Sequence, residues 1–141
     1  MKGLEMKLTI VMTYYNQDKM LEKQLKCWND YPTSIKENVK FVLIDDCSME
    51  SSLEDFDFSD LDIDLDVYRV LDDIYFNVPG AVNLGAEVTD TEWFIKQDMD
   101  TVISEGTMEK INKIVAKVMS SRKLQIGLAV VAVLIIYNLI K

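Results

Sequence analysis

The chain contains no histidine. That absence removes Ser-His-Asp and Cys-His nucleophile systems and every His-ligated zinc or iron centre. Cysteine occurs only as Cys27 and Cys47, too few for a disulfide-stapled scaffold or a Cys-rich zinc site. No G-x-x-x-x-G-K-[ST] is present, so a P-loop NTPase is out, and no G-x-G-x-x-G supports a dinucleotide fold. Basic side chains are scarce over most of the chain: residues 1–100 carry 9 basic against 22 acidic, whereas 101–141 carry 6 against 2. An acidic body offers no basic patch to displace counterions, which argues against nucleic acid as a partner.

What is present fits a globular protein. The 141 residues are 49% hydrophobic and 28% charged, enough for one domain or one domain with an appendage. The plentiful carboxylates point to a hard, oxygen-liganded metal, Mg²⁺ or Mn²⁺, if any.

Hydrophobic patterning predicts strands and helices in alternation. Lys7–Thr13 is a short apolar β-rich run bounded by polar residues, as in a buried parallel strand. Leu21, Leu25 and Trp28 recur at helical spacing among lysines and Glu22, giving an amphipathic helix that ends near Tyr31-Pro32. A second strand over Val39–Ile44 completes a βαβ unit. Leu61, Ile63, Leu65 and Val67 alternate with aspartates, predicting a loop into a half-buried strand near 65–70 whose carboxylates face water. An EF-hand loop starting at Asp60 would need Gly and Glu where Leu65 and Leu71 stand, so calcium is not indicated. Asn77-Val78-Pro79-Gly80 reads as a turn into a helix over Ala81–Val88. Trp93–Lys96 reads as a strand, and Ser104 as the cap of a helix through Met108, Ile111 and Val115. The expected fold is a three-layer α/β sandwich around a mostly parallel sheet.

Residues 124–140 hold 17 residues without a charge, between Arg122-Lys123 and Lys141. As a helix this run would be about 25 Å long, slightly short of a bilayer core of about 30 Å, with flanking lysines able to snorkel. Two units are therefore expected: a domain over 1–121 and a C-terminal apolar helix over 122–141 acting as a membrane anchor. A buried helix or strand of a soluble fold is the alternative. The excess of basic residues on the N-terminal flank puts the domain on the cytoplasmic side.

In an open parallel sheet, ligands bind beyond the carboxyl ends of the strands. Three strands here end in polar clusters: Thr13-Tyr14-Tyr15-Asn16, Asp45-Asp46-Cys47-Ser48 and Asp98-Met99-Asp100. Carboxylates at two such ends, costly to bury without partners, would be satisfied by a divalent cation and a ligand rich in donors. A D-x-D string alone means little, since it also begins at Asp55, Asp60, Asp62 and Asp64. Only Asp98-Met99-Asp100 follows a strand and precedes a polar turn.

LTIVMTYYN, FVLIDDCSME, NVPGAVNLGA and WFIKQDMD, in that order over about 7–103, resemble the nucleotide-sugar-binding half of the family 2, GT-A-fold glycosyltransferases. The resemblance implies metal-dependent transfer of a sugar from a UDP- or GDP-sugar to an acceptor hydroxyl, at a membrane surface given the tail. It implies that Thr13 and Asp45 or Asp46 contact the base, and that Asn83 and Gly85 lie beside the ribose and diphosphate. Asp98 would contact the sugar or ribose, and with Asp100 hold Mn²⁺ or Mg²⁺. Thr13 stands where the family usually has Pro, and Val82 where an Arg often precedes the Asn. The family's acceptor-binding half, with its catalytic base, has no counterpart here. The alternatives are a non-catalytic nucleotide-sugar-binding module or a membrane-tethered interaction domain. A homo-oligomer in which a partner subunit supplies the acceptor surface is a further expectation.

Overall fold

The computed structural model describes residues 8–121. The expected apolar helix over 122–141 lies outside the described residues, and among those described no helix is long and apolar enough to cross a membrane.

Four strands form one parallel sheet: β1 (Leu8–Tyr14), β2 (Val39–Asp45), β3 (Leu65–Arg69) and β4 (Trp93–Gln97), in the order β3-β2-β1-β4. Leu8 of β1 is in register with Val39 on one side and Trp93 on the other. The helices are α1 (Asp18–Asn29), α2 (Thr33–Lys36), α3 (Val78–Glu87) and α4 (Glu105–Ser120), with a single 3-10 turn at Leu53–Asp55. The short α2 is absent from the sequence reading. Four residues carry too little periodicity to announce a helix.

Two-residue alternation along the strands sorts the core into two layers. Leu8, Ile10, Met12, Phe41, Leu43 and Ile95 pack against Leu21, Leu25 and Trp28 of α1, Ile35 of α2, and Met108, Ile111 and Val115 of α4. Val11, Val42 and Ile44, on the other face, pack against Ala81 and Leu84 of α3. This is the three-layer arrangement expected. Trp28 anchors the first layer, its ring 4.6 Å from that of Phe41. Burying an aromatic or branched side chain is worth about 1.5–3 kcal/mol, so these fully buried residues fix which helix face turns inward.

Helix α1 follows its apolar stripe, and Pro79 falls at the start of α3, where a missing N–H costs nothing. Ser104 caps α4 as expected, its side chain accepting from Thr107 N at 3.2 Å. The aspartates before and within β3 largely face water as expected, and lysines meet two of them. Lys36 binds Asp62 at 3.0 Å, and Lys40 binds Asp66 at 2.9 Å and Asp90 at 3.3 Å.

Candidate functional site

Because all four strands run the same way, the ends of β1, β2 and β4 share one edge. Tyr14 is opposite Asp45, and Met12 is opposite Gln97. Asp45-Asp46 and Asp98-Asp100 therefore emerge on the same side, as the sequence pattern requires. The strand order also reverses direction between β1 and β4. Such a switch point opens a crevice at the carboxyl edge of an α/β sheet.

The two aspartates at the end of β2 have different jobs. Asp45 is fully buried, and its carboxylate accepts from Ser48 N at 2.8 Å and Leu53 N at 3.0 Å. Both of its oxygens are spent inside the protein, folding residues 48–53 back over the strand end. Asp46 faces the edge, and its Oδ1 accepts from Asn77 Nδ2 at 2.9 Å. Of the two expected base contacts, Asp45 is thus committed within the fold, whereas Asp46, 8% exposed, uses one carboxylate oxygen for Asn77.

The rest of the loop is built from side chains that bond backbone. Asn16, at φ 47°, accepts from Glu50 N and Ser51 N at 3.1 Å each. Its own N–H donates to Ser48 Oγ at 3.0 Å. Asparagine tolerates this left-handed conformation better than most residues. Tyr14 donates to Ser51 O at 2.7 Å, and burial raises its hydroxyl above the ordinary value. Arg69, at the end of β3, donates to Ser52 Oγ, Glu54 Oε2 and Ser48 O. Tyr15 is exposed at the rim, and the nearby Asp73 carboxylate is the first cause holding its hydroxyl above the ordinary range.

Thr13 is half-buried near the end of β1, in register with Ile44. The α3 residues fall elsewhere. Asn83 is exposed on the helix, about 9 Å along it from Asn77 at 1.5 Å per residue. Gly85 is buried against the sheet, where a Cβ would sit 2.2 Å from Val11 Cγ1. Its observed task is close helix–sheet packing, which explains why a glycine stands there. Asn77, read from sequence only as a turn residue, is what actually meets Asp46. A Cβ on Gly80 would come within 2.2 Å of Asn77 Oδ1, so Gly80 leaves room for that side chain.

Asp98 and Asp100 flank the buried Met99 and are both exposed. Asp98 is paired with Lys96. Their turn is held from beneath by two buried amides that the sequence reading overlooked. Gln24 Nε2 donates to Met99 O at 2.9 Å and to Thr101 O at 2.7 Å. Gln97 Nε2 donates to Gln24 Oε1 at 3.0 Å and to Thr101 O at 2.6 Å. The signal was available: Gln24 lies on the same helical face as Leu21, Leu25 and Trp28, where a polar residue needs a reason.

Among the described residues no group of three or more His, Cys, Asp or Glu could hold a metal by itself. Asp98 and Asp100 suit a cation that takes one or two carboxylates and completes its shell with water and phosphate oxygens, as Mg²⁺ does. Asp46, Asp98 and Asp100 share this edge, and the cations fixed nearby, Arg69 and Lys96, are already paired with carboxylates. An anionic ligand would therefore gain from bringing a divalent ion.

The arrangement is an α/β fold with acidic residues at the carboxyl ends of its strands, and its four-stranded parallel sheet fits a GT-A-like fold. The neighbours among solved structures agree. The fold matches S. aureus TarS 1-349 with a TM-score of 0.66 at 20% identity, over 79% of this chain and 33% of that one. It also matches TarS 1-349 in complex with UDP, and in complex with UDP-GlcNAc, each with a TM-score of 0.64 at 21% identity. The chain thus spans about a third of the TarS 1-349 chain. No protein-family model and no curated protein sequence matches it.

Proposed function

We propose that the chain binds a nucleoside-diphosphate sugar at the carboxyl edge of its sheet and transfers the sugar to an acceptor hydroxyl. The observation that carries this reading is the placement of Asp46 and the Asp98–Asp100 turn on one edge, either side of the β1/β4 switch point. The capture of UDP and UDP-GlcNAc by TarS, whose fold this chain shares over a third of its length, supports a uridine nucleotide as the first donor to try.

In this reading Asp46 and Asn77 meet the base, with Thr13 beside them, and Asp98 and Asp100 hold Mn²⁺ or Mg²⁺. The bound metal would supply Lewis-acid stabilisation of the diphosphate leaving group. The chain's own contribution is positional: Gln24 and Gln97 hold the carboxylate turn, and Asp45 and Asn16 hold the loop that carries Asp46. The uncharged segment 124–140, with its basic N-terminal flank, is proposed to tether the domain to the cytoplasmic face of a membrane.

The test is calorimetry of UDP with and without Mn²⁺. Binding should require the metal and weaken at least about tenfold in Asp100→Ala, the loss expected for one charge-assisted contact. Metal-independent binding that survives Asp100→Ala would remove Asp100 from the site. Alkaline carbonate extraction checks the tether: full-length protein should remain in the pellet.

A second reading rests on the same residues. In it the strand-end carboxylates hold the donor and its metal without transferring the sugar. Release of free sugar or a glycosylated product from UDP-sugars plus Mn²⁺ separates the two.

A further inference from the structure

Strand alternation places Lys96 of β4 beside Val11 of β1, on the face of the sheet that α3 covers. Its ammonium reaches along the strand to the Asp98 carboxylate, so it is aimed at the carboxyl edge. Asp46, two residues beyond Ile44 of that same face, is held there by Asn77 at the head of α3. The other lysine on this face, Lys40, is committed to Asp66 and Asp90 toward the amino edge. A fixed cation thus rests on one of the two carboxylates read above as holding the metal. A divalent ion cannot take Asp98 while the ammonium is on it, because the two cations repel and compete for one carboxylate. The pair lies at the surface, its side chains 35% and 60% exposed, so parting it costs little.

We infer that Lys96 is a placeholder cation: it holds Asp98 before a divalent ion arrives, and passes to the diphosphate when that ion displaces it. This role rests on the reading of Asp98 and Asp100 as the metal's carboxylates. Charge sets the direction of the exchange. Asp98 trades a monovalent cation for a divalent one, shared with Asp100. The released ammonium has lost its carboxylate and lies beside added positive charge, which favours an anion as its next partner. The diphosphate of the donor is that anion, drawn by the ion and the lysine together. Neither ligand is well received alone: the ion must part an ion pair, and the diphosphate meets Asp46, Asp98 and Asp100 with Lys96 still occupied. Metal and diphosphate therefore bind as a pair, and by linkage each raises the affinity of the other by the same factor.

The test uses metal-free, full-length protein in mild detergent. Mn²⁺ alone is followed by the paramagnetic resonance signal of the free ion, and UDP at saturating Mn²⁺ by calorimetry. Lys96→Met keeps the apolar stem and removes the charge. It should bind Mn²⁺ alone about fivefold tighter than the wild type, because no ammonium contests Asp98. It should bind UDP at saturating Mn²⁺ about tenfold weaker, having lost one charge-assisted contact. Lys96→Arg, which keeps the charge, should follow the wild type in both. Opposite shifts from one substitution are the signature, since a disturbed fold would weaken both. If both affinities weaken, Lys96 only shapes the carboxylate turn. If either stays at its wild-type value, no exchange takes place. Asp100→Ala leaves the Lys96 and Asp98 pair whole. Mn²⁺ binding that survives this substitution unchanged overturns the metal reading itself, and the exchange with it.

Discussion

The indole of Trp28 and the side-chain amide of Gln97 meet inside the core, with Trp28 Nε1 donating to Gln97 Oε1 at 3.3 Å. Through this contact the apolar face of α1 is tied to the last residue of β4, one position before Asp98. Gln97→Leu fills similar space but leaves Trp28 Nε1 and Gln24 Oε1 unmatched, and Thr101 O with one donor in place of two. A loss of about 2–3 kcal/mol is expected from such unsatisfied buried groups, read as a shifted urea midpoint. Faster amide exchange at Thr101, whose N–H bonds Asp98 O at 3.0 Å, would show that the carboxylate turn has loosened.

Asp45→Ala tests whether this aspartate serves folding or ligand. It removes the acceptor for Ser48 N and Leu53 N, both buried contacts. Destabilisation by about 2–4 kcal/mol is expected, with Asp45→Asn milder because one oxygen survives. Asp46→Ala gives up only the contact from Asn77 Nδ2, so it should shift the unfolding midpoint less than Asp45→Ala and weaken nucleotide binding instead.

Gly85→Ala adds a methyl where Val11 Cγ1 would lie 2.2 Å away. Overpacking of this kind costs about 1–3 kcal/mol. Val11→Ala opens the space, so the double variant should recover part of the loss, and a double-mutant cycle by thermal melting measures the coupling.

Alkaline pH should destabilise the fold through Tyr31. Burial pushes its hydroxyl far above the ordinary value of about 10, and the group donates to Ile103 O. The folded state keeps this proton at pH values where the unfolded chain has released it. Stability is therefore full below about pH 10 and falls above it, by at most about 1.4 kcal/mol per pH unit. Denaturant midpoints measured from pH 8 to 11 should decline above pH 10 in the wild type and less steeply in Tyr31→Phe.

The strands were legible because buried parallel strands are short unbroken apolar runs, and Lys7–Thr13, Val39–Ile44 and Trp93–Lys96 each fall within a residue of the observed limits. The common edge of the acidic clusters followed from parallel topology alone. What the individual carboxylates do was harder to read. Asp45 is two residues beyond Leu43, so strand alternation already pointed it inward, but its proximity to Asp46 made the two look equivalent. Gly85 looked like part of a binding motif because helix–sheet clearance depends on Val11, a residue distant in sequence. Gln24 stood out as a polar residue on an apolar face, but its partner Gln97 lies 73 positions away, a relationship no local pattern reveals.

The central position of β1 has a consequence for how the chain acquires its structure. Leu8 cannot gain its neighbour Val39 until α1 has crossed over, nor its second neighbour Trp93 until β3 and α3 are in place. No hairpin exists among the described strands to act as a local nucleus, and every pairing closes a long loop. High contact order of this kind slows folding. During synthesis β1 emerges before the other described strands yet is completed after them, leaving Leu8–Met12 with an open apolar flank until residue 97 has emerged.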